Sequence, residues 1–235
     1  MTVRWDATEV NGSAMPIYAA IPERAGALPG IIVAQHAPGL DAEMQDVAHR
    51  LHREGYAVAI PQLFHRQAAD IDPSKRGSLV IDSEIIDDLK AAIAYLKTHA
   101  KIAPLGMLGY CMGGRISMMA AAAFSEFKAA AAFYPSNMKK PFGSGPTTFE
   151  RLRDIKCPVI AFFGTEDANI PMEMVHAVDE EMTRHGKWHE FHTYRDAPHA
   201  FSNFGIRERY RERPARAAWT ETLAFFDEHL RGGAA

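Results

Sequence analysis

Residues 105–114 read Leu-Gly-Met-Leu-Gly-Tyr-Cys-Met-Gly-Gly. An apolar run leads straight into a cysteine with Gly109 and Gly113 two places to either side, and Arg115-Ile-Ser-Met-Met-Ala-Ala-Ala-Ala follows as a helix-forming stretch. Strand, sharp turn and helix in that order describe a nucleophile elbow, with cysteine at its tip. The bend forces its central residue into a strained backbone conformation, and the positions two residues away must be tiny. The helix aims its positive end at the sulfur, so the Cys111 thiol is expected to ionise more easily than a free one, and the thiolate is the reactive form. The plainer alternative is a buried cysteine in a glycine-rich turn.

Outward from this stretch, the chain alternates between two periodicities. Asn11-Gly12 between short alternating runs signals a two-residue hairpin. Residues 30–35, 56–60, 129–134, 159–164 and 188–194 read as strands, most of them continuously apolar and so buried on both faces. Between them, residues 41–54 place Met44, Val47, Ala48 and Leu51 on one helical face, with Gly55 as the stop. Ser83 is expected to cap a helix carrying Ile85, Ile86, Leu89, Ile93 and Leu96 on one face. Further helices are expected over about 171–185 and 214–230, the last with Pro214 in its first turn. Strands alternating with helices imply parallel crossovers, hence a doubly wound, mostly parallel sheet with an antiparallel N-terminal edge hairpin. Residues 1–235 are read as one α/β domain. Segments 62–80 and 135–154 break the rhythm. The first follows a strand directly and is the candidate for a flap facing the substrate, with a plain surface excursion as the alternative.

Composition narrows the function. Apolar residues make up 47% and charged residues 23%, and the formal net charge is -3, so neither nucleic acid nor an anionic membrane is an expected partner. Two cysteines cannot build a disulfide framework, and Cys157, before Pro158, reads as buried and inert. No run of 18 apolar residues is present, and the Met-Thr-Val-Arg-Trp-Asp start lacks the plan of a signal peptide. A reduced, cytoplasmic setting is expected. The Gly-Gly-Ala-Ala end is expected to fray.

A cysteine nucleophile needs a base, and the base needs an orienting acid. His199, in Asp196-Ala-Pro-His-Ala-Phe, lies past the last strand and is the expected base, its backbone preset by Pro198. Asp167, in Phe163-Gly-Thr-Glu-Asp, is the expected acid, with Glu166 as its rival in the same loop. The order nucleophile, acid, histidine is that of the α/β-hydrolase fold, and Asp167 lies at the offset its acid usually takes. Two backbone amides should form the oxyanion hole. Met112 N–H follows the nucleophile, and Ala37 N–H belongs to the loop after the 30–35 strand, where Pro38 has no N–H to give. His49 and His52 share a helical face without a third ligand, and His189 and His192 point to opposite faces of a strand, so no metal is expected. No cofactor is expected either.

These residues resemble the dienelactone hydrolase family, a branch of the α/β-hydrolases with a Cys-Asp-His triad. The resemblance spans nearly the whole chain. It rests on Ala34-Gln-His-Ala-Pro-Gly, Tyr56-Ala-Val-Ala-Ile-Pro-Gln-Leu-Phe, Gly109-Tyr-Cys-Met-Gly-Gly, Phe163-Gly-Thr-Glu-Asp and Ala197-Pro-His-Ala-Phe. It implies Cys111 as nucleophile, His199 as base, Asp167 as orienter, and Ala37 and Met112 as oxyanion donors. It also implies attack on a strained or activated ester, the type reaction being the opening of an enol-lactone.

Two departures stand out. The family's type enzymes carry a glutamate where this chain has His36. An imidazole there is expected to lie near Cys111 and stabilise the thiolate as a cation, the alternative being a spectator on the pocket wall. Those enzymes also grip a substrate carboxylate with arginines, one of them shortly after the catalytic histidine, where this chain has Ser202-Asn203. The nearest arginines are Arg207 and Arg209, with Arg66 and Arg76 in the 62–80 segment as further candidates, and Phe64, Tyr110, Phe142 and Phe201 are candidate pocket walls. The leading reading is a cysteine hydrolase of small activated esters or lactones, of the carboxymethylenebutenolidase type, acting through a thiol acyl-enzyme. The same site acting on neutral or phosphorus esters is one alternative, and a non-catalytic binding module on a hydrolase fold is another. A redox role for Cys111 lacks an adjacent resolving cysteine.

Overall fold

The computed structural model describes residues 2–232, so most of the C-terminal stretch expected to fray lies outside the described residues. Strands β1 (Thr2–Val10) and β2 (Ser13–Ile21) form the opening hairpin, and Asn11 and Gly12 both take positive φ, as a tight two-residue hairpin turn requires. The remaining elements follow in order: β3 (Leu28–Ala34), α1 (Ala42–Arg53), β4 (Ala57–Pro61), α2 (Pro73–Arg76), α3 (Asp82–His99), β5 (Ile102–Tyr110), α4 (Met112–Ala123), β6 (Phe127–Phe133), β7 (Val159–Gly164), α5 (Met172–Arg184), β8 (His189–Tyr194) and α6 (Glu212–Arg231).

One eight-stranded sheet runs β1-β2-β4-β3-β5-β6-β7-β8. The β1–β2 and β2–β4 pairs are antiparallel, and every other pair is parallel. The expected mixed α/β sheet with an antiparallel edge is therefore the observed one. Central strands β3, β4 and β5 carry no charged residue because both faces are covered. Gly30 pairs with Leu105 and Ile31 with Gly106, so the two glycines point to opposite faces. A Cβ on Gly30 would stand 3.5 Å from Leu96 of α3, and one on Gly106 would stand 2.8 Å from Leu230 of α6. Helices thus pack on both sides of the sheet, and these two positions let them approach closely.

Local rules account for most boundaries and for the misses. Asp41 caps α1 through hydrogen bonds from the Glu43 and Met44 amides. The expected Ser83 cap does not form. Helix α3 begins two residues earlier than a Ser83 cap would place it, at Asp82 behind extended Ile81, and the Asp82 carboxylate is held by Arg151 from the 135–154 segment. Pro214 falls third in α6, which starts at Glu212. Segment 62–80 contains the short helix α2, capped by Asp72 with Pro73 at its first position. No helix among the described residues is long and apolar enough to cross a membrane. The loops after β3, β5, β6, β7 and β8 all leave from carboxyl ends of parallel strands, where α/β sheets gather their functional groups.

Candidate active site

Cys111 stands between β5 and α4 with φ 55° and ψ -112°, a conformation rarely adopted outside glycine. Close packing fixes it there. A Cβ on Gly109 would meet the Gly113 carbonyl oxygen at 1.9 Å, and one on Gly113 would meet the Ala34 carbonyl oxygen at 2.1 Å. The Cys111 amide donates to the Phe133 carbonyl at 2.9 Å, tying the bend to the neighbouring strand.

Two loops bring acid and imidazole to the sulfur. A Cβ on Gly164 would meet the Ala197 carbonyl oxygen at 2.0 Å, so glycine alone lets the loop after β7 lie against the loop after β8. The Glu166 amide donates to that same carbonyl at 3.0 Å, while the Glu166 side chain faces solvent. Asp167 is buried and turns inward. Its Oδ1 accepts from the Asn169 amide at 2.8 Å, and its Oδ2 lies 2.6 Å from His199 Nδ1. His199 Nε2 lies 3.1 Å from Cys111 Sγ. The Tyr134 ring meets the imidazole edge-on at a centroid distance of 5.1 Å. Asp167, rather than Glu166, is therefore the carboxylate that reaches His199.

Electrostatics favour a charged pair. Burial acts to raise the Cys111 thiol, but the hydrogen bond and charge of His199, helped by the Ser136 hydroxyl and the Met112 amide, bring it below the ordinary thiol value. Burial works against protonated His199, yet Asp167 and Cys111 outweigh it and raise the imidazole to about 9. Cys157 behaves differently: it is buried, and burial pushes its thiol up to about 12, the signature of an inert cysteine.

Cys111 opens into a cavity of about 480 Å³. Ala37 and Met112, the residues expected to donate to an oxyanion, both line it. Segment 62–80 supplies one wall through Ser74, Gly77 and Ser78; segment 135–154 supplies another through Ser136, Asn137 and Phe142. A Cβ on Gly77 would stand 3.3 Å from both Ala37 Cβ and Met112 Sδ, so the first wall closes directly over the two donor residues. Arg115 and Lys140 also line the cavity, and no carboxylate does among the described residues. Buried Arg115 sends Nη1 to the Asn137 and Lys140 carbonyls at 2.9 and 2.8 Å, and its guanidinium lies 3.5 Å over the Phe142 ring. Burial lowers this guanidinium to about 10.

Most of the candidate pocket residues go elsewhere. Of His36, Phe64, Arg66, Arg76, Tyr110, Phe142 and Phe201, Phe142 alone lines the Cys111 cavity among the described residues. Arg66 forms a two-pronged pair with buried Asp88 at 2.8 and 3.0 Å. Arg76 turns back on its own segment, to the Ile71 and Ala69 carbonyls. Phe64 is buried beside Gly39, Tyr110 stacks on Phe133, and Phe201 packs on Tyr134 and Tyr194. His36 is held by carboxylates: Nε2 lies 2.9 Å from Asp41 Oδ2, and Nδ1 lies 3.3 Å from Glu43 Oε2. The ring thus sits against the N-terminal end of α1 and does not line the Cys111 cavity.

Sequence reading overlooked Ser136, Arg115 and Glu43. Ser136 Oγ lies 3.7 Å from Cys111 Sγ, just past a strand end beside the elbow, a position that could have flagged it. Arg115 is four residues past Cys111, one helical turn on, which was a usable signal. Glu43 carried none. It is buried, and desolvation, the nearby charges of Asp41 and Asp46, and Cys111 raise its carboxyl to about 8.

A strand–helix elbow on a mostly parallel sheet, with a histidine and a buried aspartate converging on its tip, is the arrangement of an α/β-hydrolase. Comparison narrows this. The model of the dienelactone hydrolase family matches residues 15–230. A Methylorubrum extorquens protein described as a "putative carboxymethylenebutenolidase" is 32% identical over 226 residues, which are 92% of this chain and 77% of that protein. The crystal structure of a "putative dienelactone hydrolase" from Klebsiella pneumoniae superposes with a TM-score of 0.87 at 30% identity, covering 97% of this chain and all of the other. A dienelactone hydrolase-like promiscuous phosphotriesterase from metagenomic libraries shares the fold, with a TM-score of 0.83 at 19% identity over 97% of this chain and 98% of its own. The chain belongs to the dienelactone hydrolase family, and it is an ester- or lactone-hydrolysing enzyme.

Proposed function

We propose that Cys111, His199 and Asp167 hydrolyse small activated esters or lactones through a thiol acyl-enzyme. The observation that carries this reading is the unbroken contact from Sγ to Nε2 at 3.1 Å and from Nδ1 to Oδ2 at 2.6 Å, on a sulfur at the tip of the elbow. The thiolate attacks the carbonyl carbon, and the oxyanion forms at the Met112 and Ala37 amides. His199 then gives its proton to the departing alkoxide. Water enters, His199 takes one of its protons, and the hydroxide displaces the thiolate from the acyl group. Asp167 keeps Nδ1 as the protonated nitrogen throughout and stabilises the imidazolium.

Substrate choice follows from the wall. Arg115 and Lys140, with no acidic lining residue among the described residues, favour an ester or lactone that carries an anionic group over a neutral one. In the Cys111→Ala variant, turnover of p-nitrophenyl acetate should fall by roughly 10³-fold or more. A panel of lactones with and without a carboxylate, neutral aryl esters and aryl phosphotriesters, run on both proteins, resolves the substrate class. Undiminished activity in the variant refutes the thiol mechanism. A thiophosphoryl adduct with fast phosphotriester turnover would move the reading to phosphorus esters.

A further inference from the structure

A second cavity, also about 480 Å³, opens between α1 and α6 and shares no lining residue with the one at Cys111. Its walls carry Arg50 and Arg53 from α1 and Arg216 from α6. None of the three has a carboxylate within ion-pair distance among the described residues. Arg50 is placed rather than loose: its guanidinium carbon lies over the Trp219 ring, 3.8 Å from the centroid. Held over the ring, the guanidinium makes no hydrogen bond or ion pair among the described residues, so its N–H donors are open to a carboxylate. Trp219, Tyr210 and the exposed Phe204 add aromatic surface, and the inner end reaches Tyr110 and Phe133.

Three acidic residues also line the cavity. Asp46 and Glu212 stand against the three guanidiniums, while desolvation raises the Glu43 carboxyl at the inner end to about 8, which leaves it neutral at pH 7. The balance is one net positive charge, next to an aromatic wall, in a volume typical of small-ligand pockets.

From this geometry we propose that the α1–α6 cavity binds an organic carboxylate with an aromatic body, separately from the Cys111 cavity. The carboxylate meets Arg50 and Arg216 at the mouth, and the ring lies against Trp219 and Tyr210. The site does not depend on turnover at Cys111.

Benzoate titrated into the isotope-labelled, full-length Cys111→Ala protein tests this by NMR, with benzamide as the neutral isostere. Benzoate should saturably shift the Trp219 indole N–H and the Arg50 side-chain N–H, and benzamide should not. Replacing both Arg50→Gln and Arg216→Gln should weaken benzoate at least roughly tenfold, the loss expected for charge-assisted hydrogen bonds. Asp46→Asn leaves every guanidinium in place and should tighten binding severalfold, so the proposal stays testable even if the double variant folds poorly. Benzoate shifts confined to Arg115 and Ser136, an equal response to benzamide, or an affinity that Asp46→Asn leaves unchanged would each overturn it.

Discussion

At the scale of single residues, the account turns on protons and on space. The Cys111–His199 pair is proposed to work as thiolate and imidazolium, so two pH limits bound it. Acid protonates the thiolate, and activity is lost as pH falls through a value below the ordinary thiol range. Base removes the proton that His199 gives the leaving group, and kcat/KM for an alkyl ester should fall as pH rises through about 9. A p-nitrophenyl ester leaves as a stabilised anion without that proton, so its profile should lack the alkaline fall. Parallel pH–rate profiles on the two ester types check this. Space is the second constraint. Gly109→Ala would drive a Cβ into a backbone carbonyl, which cannot move aside. Destabilisation beyond about 4 kcal/mol, or failure to fold, is expected in a denaturant titration. Residues of this kind were legible in the sequence because glycine spacing around a cysteine is a steric requirement. His36, Arg66 and Arg76 were not, because a charged side chain reaches whichever partner the fold supplies. Asp41 and Glu43 hold the first, Asp88 holds the second, and carbonyls of its own segment hold the third.

At the scale of elements, α1 carries a measurable cost. Glu43 ionises at its ordinary value, near 4.5, in the unfolded chain but at about 8 in the folded one. Between those values the native state holds a proton that the unfolded state has lost, so stability falls as pH rises, by at most about 1.4 kcal/mol per pH unit from this group. Glu43→Gln should therefore gain stability over the parent progressively from pH 5 to pH 8, read as the difference in urea midpoints. A difference that does not change with pH would contradict the assignment. The 135–154 segment is held by Arg115 through two carbonyls and the Phe142 ring. Arg115→Met should loosen this wall and raise KM for an anionic ester more than it lowers kcat, since the guanidinium also lines the cavity. Strands and helices were readable from hydrophobic period, whereas these walls were not, because long-range contacts rather than local pattern shape them. The start of α3 shows the same limit: Asp82, drawn to Arg151 across the fold, displaced the Ser83 cap that local preference favoured.

At the scale of the whole molecule, the sheet collects what the sequence scatters. Positions 111, 167 and 199 meet because β5, β7 and β8 run parallel and end on the same edge, and Gly164 lets the last two loops touch. That convergence was readable from the order of strands, helices and motifs. The α1–α6 cavity was not, since α1 does not show alone that Arg50 meets Trp219 of α6. The central claim is that an acyl group rides on one sulfur. Acid-quenched intact mass, followed by peptide mapping, during turnover of p-nitrophenyl acetate by the His199→Ala variant tests it most directly, because loss of the base slows water attack on the acyl-enzyme. The prediction is a single acetyl group on the peptide that contains Cys111. Continued turnover with that peptide unmodified, or with the acetyl group on another residue, would contradict it.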